Sequence, residues 1–292
     1  MSDPVAESLS QAIAMEQSGD PESALQVFDE AISRGLEEVL IFSNRGLLLD
    51  RMGRCEDALS SFRKANVLSP NFRDHYNAGN MLMKLERYED ALSEFDASLS
   101  YRQDYPDCWT NKGIAHQLLS DPHAAKTAFD QALQLNPDFS PAHRCLALYF
   151  SQLDKTELAI GHFRKAAESN PNASSSWFEY GCSLYKTLDG TQVSFDPNGP
   201  EGKAISAFDK TIELDPTNAG AWGRKIGVQF RLADRAKAAD QQTAASGENA
   251  PKLLSFILAD LAETIHAAQK QFPDDQWFVA RQKDVEALQA EE

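Results

Sequence analysis

The stretch Ala58-Leu-Ser-Ser-Phe62-Arg-Lys-Ala65 decides the fold, because its pattern returns along the chain at a nearly constant step. An alanine, a phenylalanine four positions later and a small residue three positions after that recur in 91–98, 125–132 and 159–166. The step is about 33–34 residues, and self-similarity at such a period is the signature of a repeat architecture. The sequence therefore predicts one supersecondary unit used several times.

Weaker copies of this pattern and two other markers extend the series in both directions. An earlier copy is carried by Ala24, Phe28 and Ala31, and a later one by Ala204, Phe208 and Thr211. Upstream of several copies, a large aromatic residue precedes a glycine: Phe42 with Gly46, Trp109 with Gly113, and Trp177 with Gly181. Four copies of the Ala–Phe pattern are followed by a proline, which cannot continue a helix: Pro70, Pro137, Pro171 and Pro216.

These residues together resemble the tetratricopeptide repeat, whose pattern is W-x₂-L-G-x₂-Y, then A-x₃-F, then P. The resemblance spans about residues 5–246 and implies an all-α chain, a right-handed α-α superhelix of antiparallel helix pairs with C-terminal capping helices. In that frame residues 1–246 form a solenoid of about seven repeats, at 5–38, 39–71, 72–105, 106–139, 140–173, 174–218 and a degenerate 219–246.

The small residues have a physical role in such a stack. We expect the glycine of each first helix, as in Gly46, to let the backbone of the second helix approach at its alanine, as in Ala58. The phenylalanines, such as Phe62, then fill the space between one repeat and the next. A single helix pair cannot bury its own apolar face, so neighbouring pairs must stack to form the core.

Two regions depart from the repeat. Gly and Pro residues in an insertion near 187–202 predict a loop between the two helices of repeat 6. Residues 247–292 lack the repeat pattern, but 253–265 place apolar residues on one helical face. We interpret this end as a helical cap that covers the apolar end of the stack, with a partner-binding helix as the alternative.

Composition restricts the function. The 292 residues carry a net charge of −16, and no basic stripe for nucleic acid is visible in this acidic protein. No apolar run reaches the length of a membrane span, and the first residues lack the features of a signal peptide. The four cysteines are too far apart for a zinc site or a disulfide framework, which indicates reduced thiols, a cytoplasmic location and no metal or cofactor.

No catalytic set emerges from the sequence. There is no nucleotide-binding glycine motif and no justified Ser/His/Asp or Cys/His arrangement, so we predict a non-catalytic protein. We interpret His75, His116 and His143 as packing residues, because they occupy core positions of the first helices.

The family resemblance implies that the first helices line a concave groove that binds a peptide or helical segment of a partner protein. Candidate groove residues are Asn44, Arg73, Tyr76, Asn77, Asn80, Lys84, Asn111 and Arg144. Asn44, Asn77 and Asn111 occupy the same position in three successive repeats and resemble the asparagine ladder of some helical solenoids. An amide side chain can pair with both groups of a peptide backbone, although asparagine is also common at that position.

A second family function is disfavoured. Repeat proteins that grip acidic chaperone tails use a carboxylate clamp with cations on the first and third of three helices. Asn80 and Asn111 match that clamp, but Tyr76, Pro141 and Cys145 stand where cations are required. The alternative function is an assembly factor or regulatory subunit that acts through the convex face, the 187–202 loop or the C-terminal helices.

Overall fold

The computed structural model describes residues 3–188, 193–246 and 253–290, and every regular element within these ranges is an α-helix. This confirms the all-α prediction. The helices are α1 Pro4–Gln17, α2 Pro21–Ser33, α3 Val39–Arg51, α4 Cys55–Leu68, α5 Phe72–Lys84, α6 Tyr88–Tyr101, α7 Pro106–Leu118, α8 Pro122–Leu135, α9 Ser140–Gln152, α10 Thr156–Ser169, α11 Ser174–Thr187, α12 Pro200–Leu214, α13 Ala219–Ser246, α14 Leu253–Gln271 and α15 Gln276–Ala290.

The chain divides into two compact units, residues 1–145 and 146–292, with the division inside α9. The first unit contains the helix pairs α1–α2, α3–α4, α5–α6 and α7–α8, which correspond to the predicted repeats 1–4. The second unit contains α10 to α15. The grouping of the helices into a solenoid at 1–246 and a cap at 247–292 stays a prediction.

The turn between the two helices of a repeat uses a left-handed backbone at the same position in five successive repeats. These residues are Gly19 (φ 85°), Gly53 (φ 74°), Glu86 (φ 58°), Ser120 (φ 61°) and Asp154 (φ 54°). A left-handed residue is a common way to end a helix, and glycine adopts it without a steric cost. Glycine serves two of these turns, whereas the other three adopt this conformation with a side chain that disfavours it.

The second helices begin where a side chain can satisfy the free backbone N–H groups. Asp20 accepts from the backbone N–H of Ser23 at 3.0 Å, and Asp121 accepts from that of Ala124 at 3.0 Å. Each aspartate is followed by a proline in the first turn, where a missing N–H has no cost. These caps explain why α2 and α8 begin where they do.

Each first-helix glycine faces the phenylalanine ring of its own repeat, which corrects the expected role of this glycine. A Cβ added to Gly113 would lie 2.4 Å from Cε1 of Phe129, and one added to Gly79 would lie 2.5 Å from Cε1 of Phe95. The same pairing joins Gly46 to Phe62 and Gly181 to Phe208. The space left by the missing side chain thus receives a ring, and the phenylalanine fills the inside of its own helix pair.

This pairing predicts opposite effects of one substitution at two helical glycines. We expect Gly113→Ala to lower the free energy of unfolding by about 1–3 kcal/mol, because the new methyl group overlaps the buried ring of Phe129. Apart from its chain neighbours and the backbone of its own helix, Gly161 in α10 has no atom of the described residues within 4 Å of an added Cβ. Gly161→Ala should therefore raise the free energy by about 0.5–1 kcal/mol through helix propensity. Urea titrations followed by circular dichroism measure both, and equal shifts of the same sign would refute the pairing.

The second compact unit departs from the helix-pair pattern. Where the degenerate repeat 7 was expected, α13 continues for 28 residues as one helix. It packs against α14 and α15 around a cluster that includes Trp222, Leu261 and Phe278. The apolar face predicted for 253–265 is buried at Leu254, Ile257, Leu258, Leu261 and Ile265.

The inserted segment of repeat 6 lies between α11, which ends at Thr187, and α12, which begins at Pro200. The residues 193–196 have no regular secondary structure, as the predicted loop requires. The residues 189–192 of this predicted loop lie outside the described residues.

Candidate functional site

The first helices α1, α3, α5 and α7 are joined by polar contacts, and we call the surface that they share the first-helix surface. The guanidinium of Arg51 on α3 pairs with Glu16 on α1, with Nη2 2.8 Å from Oε2. Ser43 on α3 donates to Oδ2 of Asp74 on α5 at 2.7 Å. Asn111 on α7 donates to Oδ1 of Asn80 on α5 at 2.8 Å. Seven of the eight predicted groove residues are carried by α3, α5 and α7 of this surface.

The three asparagines at equivalent positions have different surroundings. Asn44 donates its amide N–H to the carbonyl of Leu40 one turn earlier, at 2.8 Å. Asn111 donates to Asn80 and also to the hydroxyl of Tyr76, at 3.1 Å. Asn77 is half-buried, and its side-chain amide makes no hydrogen bond within the described part of the chain. Both halves of the Asn77 amide are thus available to a ligand.

Tyr76 and Asn80 have a structural role that the sequence did not reveal. The ring of Tyr76 lies 4.9 Å from that of Tyr105 and 6.1 Å from that of Phe95, centroid to centroid. Burial raises the pKa of Tyr76 above its ordinary value, so the phenol stays neutral at physiological pH. Tyr76, Asn80 and Asn111 therefore connect α5 to α7 by neutral hydrogen bonds.

The predicted cations differ in how far they are already neutralised. Lys84 pairs with Asp50 across α5 and α3. Arg73 is exposed, its guanidinium lies 5.4 Å from the ring centroid of Phe72, and it has no ion pair within the described residues. Arg144 is exposed on α9. Arg73 is thus better suited than Lys84 to meet an acidic ligand group.

Exposed aliphatic side chains, which were not among the predicted groove residues, lie on helices of the first-helix surface. Leu40 and Leu47 on α3 are 56% and 37% exposed, and Ile13 on α1 is 48% exposed. Leu40, Asn44 and Leu47 have an i, i+4, i+7 spacing, so they lie on one face of α3. This spacing was visible in the sequence, but only the structure shows that the two leucines are left uncovered. Exposed apolar side chains beside polar ones are a feature of binding surfaces.

Burial suppresses the ionisation of two cysteines, the buried Cys108 and the half-buried Cys182. Cys108 has no exposed surface, its thiol donates to the carbonyl of Phe95, and burial raises its pKa to about 12. Burial also raises the pKa of the Cys182 thiol. Both thiols therefore stay protonated at neutral pH, and a protonated thiol is a poor nucleophile.

The described residues show neither a metal-binding cluster nor a membrane-spanning helix. Across residues 3–188, 193–246 and 253–290, no group of three or more His, Cys, Asp or Glu side chains is arranged to hold a metal ion. Among the helices of the same ranges, none combines the length and the apolar character needed to cross a membrane.

Family models of the tetratricopeptide repeat match residues 9–71, 43–107 and 106–139. Among known proteins, the human mitochondrial import receptor subunit TOM70 is 25% identical over 183 residues, which cover 60% of this chain and 28% of TOM70. The protein FlbA of Caulobacter vibrioides is 27% identical over 161 residues, 54% of this chain and 27% of FlbA. The chain thus spans less than a third of the length of these relatives.

Solved structures match over most of the chain. The C-terminal part of a tetratricopeptide repeat-containing protein from Cytophaga hutchinsonii superposes with a TM-score of 0.63 at 13% identity, over 93% of this chain and 98% of that chain. At this identity the likeness shows the fold alone. The family models on residues 9–139 and the recurring Gly–Phe helix pairs identify this chain as a tetratricopeptide repeat protein.

Proposed function

We propose that this protein is a protein–protein interaction module that binds an extended segment of a partner protein along the first-helix surface. Tetratricopeptide repeats are in general interaction modules without catalytic activity, and the similarity to a receptor subunit supports a binding role. The observation that carries the proposal is the side-chain amide of Asn77 on α5, which is half-buried and unpaired within the described residues. A half-buried donor and acceptor without partners gain hydrogen bonds when a peptide backbone is bound.

The surroundings of Asn77 indicate the chemistry of the ligand. Leu40 and Leu47 offer exposed apolar side chains on the neighbouring helix α3. Arg73, one turn before Asn77 on α5, offers a cation that has no ion pair within the described residues. A segment with apolar side chains and an acidic group would fit this combination better than a basic one. Asn44 and Asn111 each keep a side-chain oxygen for the ligand, while their N–H groups are engaged within the protein.

This proposal predicts that Asn77→Ala weakens peptide binding by about five- to tenfold, the effect of one hydrogen bond of about 1 kcal/mol. Peptides selected from a random displayed library on the immobilised full chain supply the probe. Fluorescence polarisation then gives the Kd for the wild type and for Asn77→Ala. Asn77 is preferred to Asn111 here, because Asn111→Ala would also break the hydrogen bonds that join α7 to α5.

The matched control is Asn170→Ala, which removes the same amide from an exposed residue at the end of α10. It should leave the Kd unchanged. Equal affinity of wild type and Asn77→Ala for every selected peptide would show that the first-helix surface is not the binding site.

The alternative role as an assembly factor or regulatory subunit has one observation in its favour. Phe256 on α14 is 76% exposed and Trp277 at the start of α15 is 44% exposed. Large aromatic side chains that remain uncovered are enriched at interfaces. A second binding surface on the C-terminal helices is therefore compatible with the first-helix surface.

A further inference from the structure

A cavity of about 470 Å³ lies within the second compact unit, between the 193–197 segment and helices α12, α13 and α14. It belongs to the part of the chain that departs from the repeat pattern, and it is separate from the first-helix surface. Aliphatic side chains such as Ile205, Leu232 and Ile257 form much of its wall. Its size is that of a site for one large side chain or a small ligand.

The charged residues that line this cavity are all acidic. Asp196, Asp209 and Asp260 line it, and none of the lining residues that the structure describes is a lysine or an arginine. Lys225 pairs with Asp209 at 2.8 Å and neutralises that carboxylate. Asp196 and Asp260 have no ion pair within the described residues and are exposed to solvent. The cavity therefore attracts a cation.

The side-chain amide of Gln229 donates to one of these carboxylates, while its oxygen receives no hydrogen bond within the described residues. Gln229 is 1% exposed, and its Nε2 donates to Oδ2 of Asp260 at 2.6 Å and to Oγ1 of Thr264 at 3.0 Å. Because a carboxylate only accepts, these contacts determine which end of the amide is Nε2. Oε1 of Gln229 is then left buried without a hydrogen-bond partner within the described residues. A buried acceptor without a donor is uncommon in native proteins. Because Gln229 lines the cavity, a group that enters the cavity can supply the donor.

Two exposed aromatic rings complete the site. Phe256 is 76% exposed and Phe195 is 39% exposed, and both line the cavity. Aromatic faces attract cations, and they pack well on the aliphatic part of a long basic side chain. Carboxylates, aromatic rings and an unpaired acceptor together match a planar cation with several N–H donors.

We propose that this cavity binds an arginine side chain, flanked by apolar residues, of a partner protein. The guanidinium donates to the carboxylates of Asp260 and Asp196 and supplies a donor at the Gln229 amide, while its plane stacks on Phe256. Apolar neighbours of the arginine cover the exposed part of Phe195. Arginine is preferred to lysine, because its fork of five donors can serve several acceptors at once.

The test uses the full chain and three synthetic peptides, acetyl-Leu-Arg-Phe-amide and its lysine and citrulline counterparts, with Kd values from NMR titrations. Citrulline keeps the shape of arginine and loses the charge. We expect the arginine peptide to bind at least tenfold more tightly than the citrulline peptide and more tightly than the lysine peptide. Equal binding of arginine and citrulline peptides would overturn the proposal.

Variants then locate the binding. Asp260→Asn keeps an acceptor for Gln229 but removes the charge, and we expect about a tenfold loss of affinity for the arginine peptide. Asp274→Asn removes the same charge from an exposed residue outside the cavity and should have no effect. If both variants weaken binding equally, the attraction comes from net charge and the site is refuted. Phe256→Ala, at an exposed position that tolerates truncation, should weaken binding independently of any effect of Asp260→Asn on folding.

Two further measurements distinguish binding at this cavity from binding at the first-helix surface and from self-association. Asn77→Ala should leave the affinity for the arginine peptide unchanged. A result that refutes the arginine site therefore does not refute binding at the first-helix surface, and the reverse also holds. Sedimentation velocity tests whether the wild type forms a dimer that the Asp260→Asn variant does not form. We expect no such dimer. Such a dimer would mean that a second copy of the chain occupies the cavity, and it would overturn the assignment to a partner protein.

Discussion

Phe129→Ala is expected to lower the free energy of unfolding by about 3–5 kcal/mol, the range for removing a buried aromatic ring. Phe129 has no exposed surface, and its ring lies directly over the backbone of Gly113. No side chain at position 113 can expand into the space, so the cavity cannot close without a movement of α7 against α8. Urea denaturation followed by circular dichroism measures the loss, and Val67→Ala, at an 81% exposed position, should change it by less than about 0.5 kcal/mol.

A double-mutant cycle makes this prediction sharper. Gly113→Ala alone is destabilising because its methyl group overlaps the Phe129 ring, but in the Phe129→Ala background the same methyl group enters an empty space. We therefore expect the cost of Gly113→Ala to vanish or reverse when Phe129 is already alanine. Additive effects of the two substitutions would show that the glycine and the ring do not share this space.

Leu261→Ala is expected to cost about 2–5 kcal/mol and to act on the second compact unit. Leu261 has no exposed surface and lies in the cluster that α13, α14 and α15 form around Trp222 and Phe278. In a repeat protein each element is stabilised mainly by its neighbours, so the loss should be local.

Hydrogen exchange measured by mass spectrometry distinguishes local from global loss. Backbone amides of α13 to α15 should exchange faster in Leu261→Ala, while those of α3 to α8 should keep their wild-type rates. Uniform acceleration across both compact units would contradict the view that the C-terminal helices form a locally stabilised cap.

The repeat helices of this chain were accessible from sequence, because they are encoded by local spacing. The A-x₃-F pattern at residues 58–65 and its copies located the second helices, and the glycines located the first. The apolar face of 253–265 likewise predicted α14. The continuous helix α13 was not expected, because degenerate spacing does not distinguish a helix pair from one long helix.

The hydrogen-bond partners of the candidate site residues could not be predicted from their positions in the repeat. Asn44, Asn77 and Asn111 are equivalent in sequence, yet their hydrogen bonds differ, since each bond depends on a neighbour in another turn or another helix. Lys84 was predicted to meet a ligand, and the structure pairs it with Asp50, which is 34 residues away. Equivalent positions share a face, but their partners come from elsewhere in the chain.

The amino-acid sequence by itself determined the helical repeats, since a 3.6-residue helical period and a repeat step of about 33–34 residues are properties of the chain read in order. Tertiary structure alone decided that the glycines receive phenylalanine rings, that the Asn77 amide has no partner among the described residues, and that Asp260, Gln229 and Phe256 line one cavity. The physical reason is that packing space, hydrogen-bond pairing and electrostatic attraction act between atoms that are close in space, and helix packing brings together residues that are far apart in the chain.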